Sequence, residues 1–236
     1  MILHNLQTRN MKLLFLLFLT PALARVLNES SQSRIIGGKN ARDGQFPYMA
    51  SIIAITNGYD IPFCGGSIIS EVSILTSGIC GLICEKPGYN CEVWVGSVNQ
   101  FQGQKLKISK IITHETMDPS ASTTQVIDLS IFRVSSKISI SKTVKVAKLP
   151  KQDLQDHEST TILGWGSGAI PYPYNVLQHG ATGAKQYNPD EAVGKYAETE
   201  SDTVMACFFD SGGPLISNDL DELIGVVSFF VLQVDP

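Results

Sequence analysis

Histidine is scarce in this 236-residue chain, which has four: His4, His114, His157 and His179. Charged residues are also sparse at 17%, tryptophan occurs twice, and no cluster of basic residues interleaved with aromatics appears. That excludes the usual signature of a nucleic-acid binder. The net charge of −4 points the same way. No paired Cys-x-x-Cys or Cys/His spacing suits zinc, so no metal or other cofactor is expected. Long apolar runs are missing too: the stretch Leu13 to Leu19 is too short to span a bilayer, and no membrane partner is expected.

That short apolar stretch has another reading. Arg9 and Lys12 precede it and Ala22-Leu23-Ala24 follows with small residues, the pattern of a cleaved signal peptide over residues 1–24, with Met11 as an alternative start. A secreted, extracellular chain is expected. Five cysteines, Cys64, Cys80, Cys84, Cys91 and Cys207, then read as disulfides plus one left over. Residues 25–34 contain the sequon Asn28-Glu29-Ser30 and a polar run, consistent with a removable segment.

From residue 35 onward, short β-rich runs dominate: YMASIIAI, GSIISEVSIL, EVWVGSV, LKISKIIT, LSIFRVSS, TVKVAKL, STTILGWG, PLISN and LIGVVSFFV. Gly, Pro, Asn and Asp clusters separate them, so the fold class is all-β, a sandwich or barrel. The sequence predicts two β units with a boundary near residue 142. Residues 166–202, rich in Gly, Pro and Tyr, read as long loops around one strand near Val176–His179.

The stretch FFDSGGPL sets Ser211 between Asp210 and a Gly-Gly-Pro turn, which exposes a hydroxyl suited to attack a carbonyl. Such a nucleophile needs a base. Together with RIIGGKNA (34–41), CGGSIIS (64–70), VIDLSIFRV (126–134) and LGWGS (163–167), this stretch resembles the trypsin/chymotrypsin-type serine peptidases, with five motifs in the family's order.

The resemblance implies two six-stranded Greek-key β-barrels over residues 35–236; the family's last strand and C-terminal helix are missing, so that either the gene product is incomplete or the second barrel has an open edge. It implies activation by cleavage after Arg34, after which Ile35 inserts and pairs with Asp210. Cys64 and Cys80 match a family bridge, and Thr160 and Ser217 stand where another would be. Cys84 and Cys91 are placed to close a local loop, and Cys207 is left over. Asp128 and Ser211 match two members of the catalytic triad.

The third member is absent. The family's Thr-Ala-Ala-His-Cys setting reads Thr76-Ser77-Gly78-Ile79-Cys80, and the fixed Cys64–Cys80 interval prevents any shift of alignment, so Ile79 stands at the histidine position. Asp128 would thereby lose its main donor. Removing a triad base costs on the order of a millionfold in turnover, roughly 8 kcal/mol. Phe209 replaces a glycine of the oxyanion hole, which the N–H groups of Phe209 and Ser211 would form. Met205 takes the floor of the specificity pocket and makes it apolar. Ser228 matches the serine beside the triad carboxylate, and Phe230 is expected to project into the groove where substrate normally lies.

These departures imply a catalytically inactive homologue acting as a monomer by binding other proteins. LKISKIITHE is similar to mite serine proteases, and the missing histidine resembles the inactivated protease paralogues of parasitic (scabies) mites. That resemblance implies host plasma or complement proteins as partners. Two alternatives stand beside it: a serine endopeptidase with residual or unconventional activity, and a degenerate copy without function.

Overall fold

The computed structural model describes residues 35–117, 127–166, 176–187, 196–201, 203–206 and 209–228. Among the described residues, twelve strands and one short helix follow the punctuation of the sequence: β1 (Lys39–Asn40), β2 (Met49–Thr56), β3 (Tyr59–Ser70), β4 (Ser73–Thr76), α1 (Gly78–Cys84), β5 (Asn90–Val95), β6 (Gln104–Thr113), β7 (Ser130–Val134), β8 (Glu158–Gly164), β9 (Gln178–Tyr187), β10 (Tyr196–Glu200), β11 (Pro214–Ser217) and β12 (Glu222–Val226). Among the described residues, no helix is long and apolar enough to cross a membrane.

Six strands close a barrel in the order β2-β3-β4-β7-β6-β5. Asn57 and Gly58, both at positive φ (51° and 80°), make the tight turn between β2 and β3, the conformation whose twist suits a two-residue hairpin. Six consecutive residues of β2 are buried, because this strand is paired on both sides, by β3 and β5. The core is built from Ile52, Ile68, Ile74, Val93 and Phe132, each fully buried. At about 1.5–3 kcal/mol per large apolar side chain, such residues carry most of the drive to fold this half.

The second half forms a six-stranded sheet in the order β1-β9-β8-β11-β12, with β10 added on β9. Its core gathers Leu163, Trp165, Leu177 and Ile216, with Ile35, Ile162, Ala184 and Leu215 in an adjoining cluster. The fold is thus mostly β, as the sequence predicts. The segment between β7 and β8 joins the two sheets.

Two expectations need correction. TVKVAKL is not a strand: Lys145 N–H donates to the Pro47 carbonyl and Ala147 N–H to that of Ile68, so the segment is extended but forms no ladder. Residues 166–202 hold more than one short strand, since β9 runs ten residues and pairs with β10 in register from Tyr187↔Tyr196 to Gly183↔Glu200. β9 reads QHGATGAKQY and shows no apolar alternation. Its small residues serve close packing, for a Cβ on Gly180 would lie 2.3 Å from the Val204 side chain.

Candidate active site

The turn before β11 is fixed by its contacts with the first barrel. Gly65 N–H donates to the Ser211 carbonyl at 2.8 Å, Gly212 N–H to Val227 at 2.6 Å and Gly213 N–H to Asp210 at 2.9 Å. Gly212 has φ of 84°, and a Cβ there would sit 2.1 Å from the Thr76 hydroxyl and 2.4 Å from the Gly65 carbonyl. Only glycine meets both demands.

Asp210 is fully buried and accepts the Gly166 N–H at 2.7 Å. Ile35 is buried as well, and the next residue, Ile36, exchanges backbone hydrogen bonds with Met205 at 3.0 and 3.3 Å. The segment after the expected cleavage point therefore lies in the second half, on the strand-like stretch that leads to the serine turn. Arg34, Cys207 and Phe230 lie outside the described residues. Met205 is 44% exposed and Phe209 46% exposed. Phe209 adopts φ of 72°, the left-handed conformation that costs a non-glycine residue about 1–2 kcal/mol.

Ser211, Ser228, Asp128 and Ile79 do come together. The Ser211 hydroxyl donates to the Ser228 carbonyl at 3.3 Å, and the Ser228 hydroxyl donates to Asp128 Oδ2 at 2.5 Å. Asp128 Oδ1 accepts the backbone N–H of Ile79 at 2.8 Å. Asp128 thus has two donors here, one from the Ser228 side chain and one from the Ile79 backbone. The carboxylate is partly buried rather than sealed off.

Ile79 occupies the first turn of α1, and its side chain packs against the first core. The helix begins at Ser77, whose side chain makes no capping bond; its hydroxyl instead points at Cys80 Sγ, 2.9 Å away. Asp128 therefore satisfies an N–H of the first turn from 49 residues away, the task an N-cap side chain normally performs. Cys80 is bridged to Cys64, and Cys84 to Cys91, so α1 is tied to the barrel near each end. Thr160 and Ser217, both fully buried, face each other across β8 and β11.

Among the described residues, no imidazole bonds Ser211. His114 contacts Thr116 at 3.0 Å, and His157 pairs with Glu200 at 2.8 Å. His179 lies in β9 beside Gln45 and the Phe46 ring. Burial lowers its pKa, and the charges of Lys39 and Arg42 lower it further.

Met117 is a neighbour that sequence reasoning did not place at the site. A Cβ on Gly78 would meet Met117 Cγ at 2.7 Å and Asp128 Oδ1 at 3.0 Å, so the thioether lies over the start of α1. The signal in the sequence is Gly78 itself, standing where the family carries alanine. No group of three or more His, Cys, Asp or Glu among the described residues is placed to hold a metal.

The family model described as Trypsin matches residues 35–233. The chain belongs to the trypsin family. It is 29% identical to a collagenase of Hypoderma lineatum over 85% of this chain and 78% of that protein. Against trypsin-1 of Astacus astacus it is 31% identical over 83% of the chain and 88% of the relative. The solved structure of the HL collagenase superposes with a TM-score of 0.70 at 27% identity, covering 84% and 87% of the two chains. The closed first barrel and the sheet of the second half fit the two-barrel fold of this family.

Proposed function

We propose that this trypsin-family protein is a secreted, catalytically inactive homologue that acts by binding other proteins. The observation that carries the reading is Ile79. Its backbone holds Asp128, its partly buried side chain packs against the apolar core, and nothing in it can take a proton from Ser211. The Ser211 hydroxyl donates to a carbonyl instead, whereas a nucleophile needs an acceptor that can carry its proton away. Phe209 adds a second departure, because a side chain now projects where the family has only backbone. The cleft is kept as architecture, and binding falls to surface loops, where sequence change is tolerated. Host plasma proteins, complement components among them, are the partner class that the likeness to parasitic-mite paralogues favours.

The test is active-site labelling. The folded chain, cleaved after Arg34, is incubated with a fluorophosphonate probe beside its Ile79→His and Ser211→Ala variants. No labelling of the natural chain is expected. Labelling that Ser211→Ala abolishes would overturn the inactive reading and establish residual hydrolase chemistry. Labelling only of Ile79→His would assign the defect to the base alone. Purified complement proteins, measured for direct binding to the same cleaved chain, test the partner class; absence of binding removes complement from it.

A further inference from the structure

Charge is distributed very unevenly along the chain. Nine of the 18 basic residues fall between 103 and 152, whereas thirteen of the 22 acidic residues fall after 152. Between 129 and 152 there are six cations and no acid. In a protein of net negative charge this marks one region out.

The structure leaves these cations exposed on β6, on β7 and on the extended segment that leaves β7. Lys105, Lys107 and Lys110 are exposed on β6 and Arg133 on β7. Lys110 stands directly opposite Arg133 across the strand pair, an arrangement in which like charges destabilise a sheet. The chain leaving β7 then runs beside β6: Ser135 N–H donates to the Lys107 carbonyl at 2.9 Å, and Gln104 bonds both the carbonyl and the N–H of Ser139. Beyond it, Val144 and Ala147 are buried while Lys142, Lys145, Lys148 and Lys151 point outward.

Three of the nine cations have carboxylate partners: Lys105 with Glu92, Lys137 with Glu71 and Lys148 with Asp221. Among the described residues, Lys107, Lys110, Arg133, Lys142, Lys145 and Lys151 form no ion pair.

We infer that this band, formed by β6, β7 and the segment leading to β8, binds a sulfated polysaccharide. A linear polyanion relieves the opposed Lys110 and Arg133 and follows the cations from the sheet onto the extended segment. Lysine predominates, and its compact ammonium suits sulfate as a point charge, where a bidentate fork would call for arginine. Nucleic acid fits less well, since its bases need aromatic platforms and Phe132, the aromatic of this region, is fully buried. A lipid surface would draw on exposed interfacial Trp or Tyr, whereas Trp94, which borders the band, is half-buried with Lys105 over its ring and Phe101 at its edge. The band lies outside the Ser211 cleft, so the inference does not depend on whether catalysis is lost.

The experiment measures binding of the full chain to heparin, to single-stranded DNA and to phosphatidylserine vesicles, each across a salt series. Heparin should bind at about 0.15 M ionic strength and more tightly than the other two probes. With six contacts at a single-strand-like charge density, log Kd should change with log salt by a slope of about four. Lys107→Gln/Lys110→Gln/Arg133→Gln and Lys142→Gln/Lys145→Gln/Lys151→Gln should each lower the slope by about two. Lys39→Gln/Arg42→Gln/Lys86→Gln removes as much charge elsewhere and should leave it near the natural value. Failure to bind heparin, equal or tighter binding of DNA or vesicles, or equal weakening by the third variant would overturn the proposal. The comparison of probes on the natural chain decides the matter even if a variant misfolds.

Discussion

If Asp128 now serves the fold rather than chemistry, removing it should weaken the protein without touching the reactivity of Ser211. Its carboxylate accepts the Ile79 N–H at 2.8 Å and the Ser228 hydroxyl at 2.5 Å. A hydrogen bond to a charged group contributes about 1.5–3 kcal/mol, discounted here because the carboxylate is only partly buried. Loss of a helix cap costs about 1 kcal/mol, and Ser77 offers no replacement, because its side chain faces Cys80. Asp128→Ala should therefore cost about 2–3 kcal/mol, and Asp128→Asn, which keeps one acceptor oxygen, about 1 kcal/mol. Urea unfolding followed by tryptophan fluorescence reads both as shifts of midpoint at unchanged slope. None of the three proteins should be labelled by a fluorophosphonate. A stability change under about 0.5 kcal/mol for Asp128→Ala, the size of an ordinary surface substitution, would refute the capping role. Labelling of Ser211 in the natural chain that Asp128→Ala abolishes would show that the carboxylate still serves chemistry.

His179 predicts an acid dependence. Its pKa is lowered in the folded protein by burial and by Lys39 and Arg42, so below an ordinary histidine pKa of about 6.5 the unfolded chain binds a proton that the native state resists. Stability should fall as pH drops from there through the lowered native value, and the fall should be smaller in His179→Gln; identical pH profiles of the urea midpoint would refute this. Thr160 and Ser217 face each other at a register pair of β8 and β11, a spacing compatible with disulfide geometry. Thr160→Cys/Ser217→Cys should therefore oxidise and add about 2 kcal/mol, being about 4 kcal/mol for the closed loop less about 1 kcal/mol for each hydroxyl bond lost. Free thiols after oxidation, or no gain in melting temperature over the reduced form, would contradict it.

Strands with strong local signals were legible in the sequence. GSIISEVSIL contains the hairpin of β3 and β4, with Glu71 and Val72 at its turn, because apolar β-branched residues flank a polar break. TVKVAKL has the same composition, yet its N–H groups go to carbonyls of two different places, Pro47 and Ile68. Composition specifies an extended backbone there but not a neighbouring strand. β9 failed in the opposite sense: Gly180 and Ala184 make room for Val204 and for the small core around Ile35, and small residues carry no β signal of their own. At the site, spacing between cysteines located Ile79, and motif order located Asp128 and Ser211. The capping of α1 by Asp128 and the position of Met117 over Gly78 were not legible. Both depend on segments 39 or more residues apart meeting in space.

The serine turn shows why a faithful motif is weak testimony for activity. Every residue of Asp210-Ser211-Gly212-Gly213 has work in the fold that does not involve the hydroxyl. Asp210 holds Gly166, the Ser211 carbonyl takes the Gly65 N–H, and Gly212 fits against Thr76 where a Cβ would overlap two atoms. A Cβ on Gly213 would lie 2.6 Å from the Leu163 carbonyl. Altering any of these positions disturbs the seating of the turn, on the first barrel at Ser211 and Gly212 or within the second half at Asp210 and Gly213, whereas exchanging an imidazole for the side chain of Ile79 leaves the Asp128 bond, the Cys80 bridge and the core intact. The base can be lost while the architecture around the nucleophile stays whole. Discrimination between an enzyme and a non-enzyme on this fold therefore rests on the side chains that no backbone contact requires.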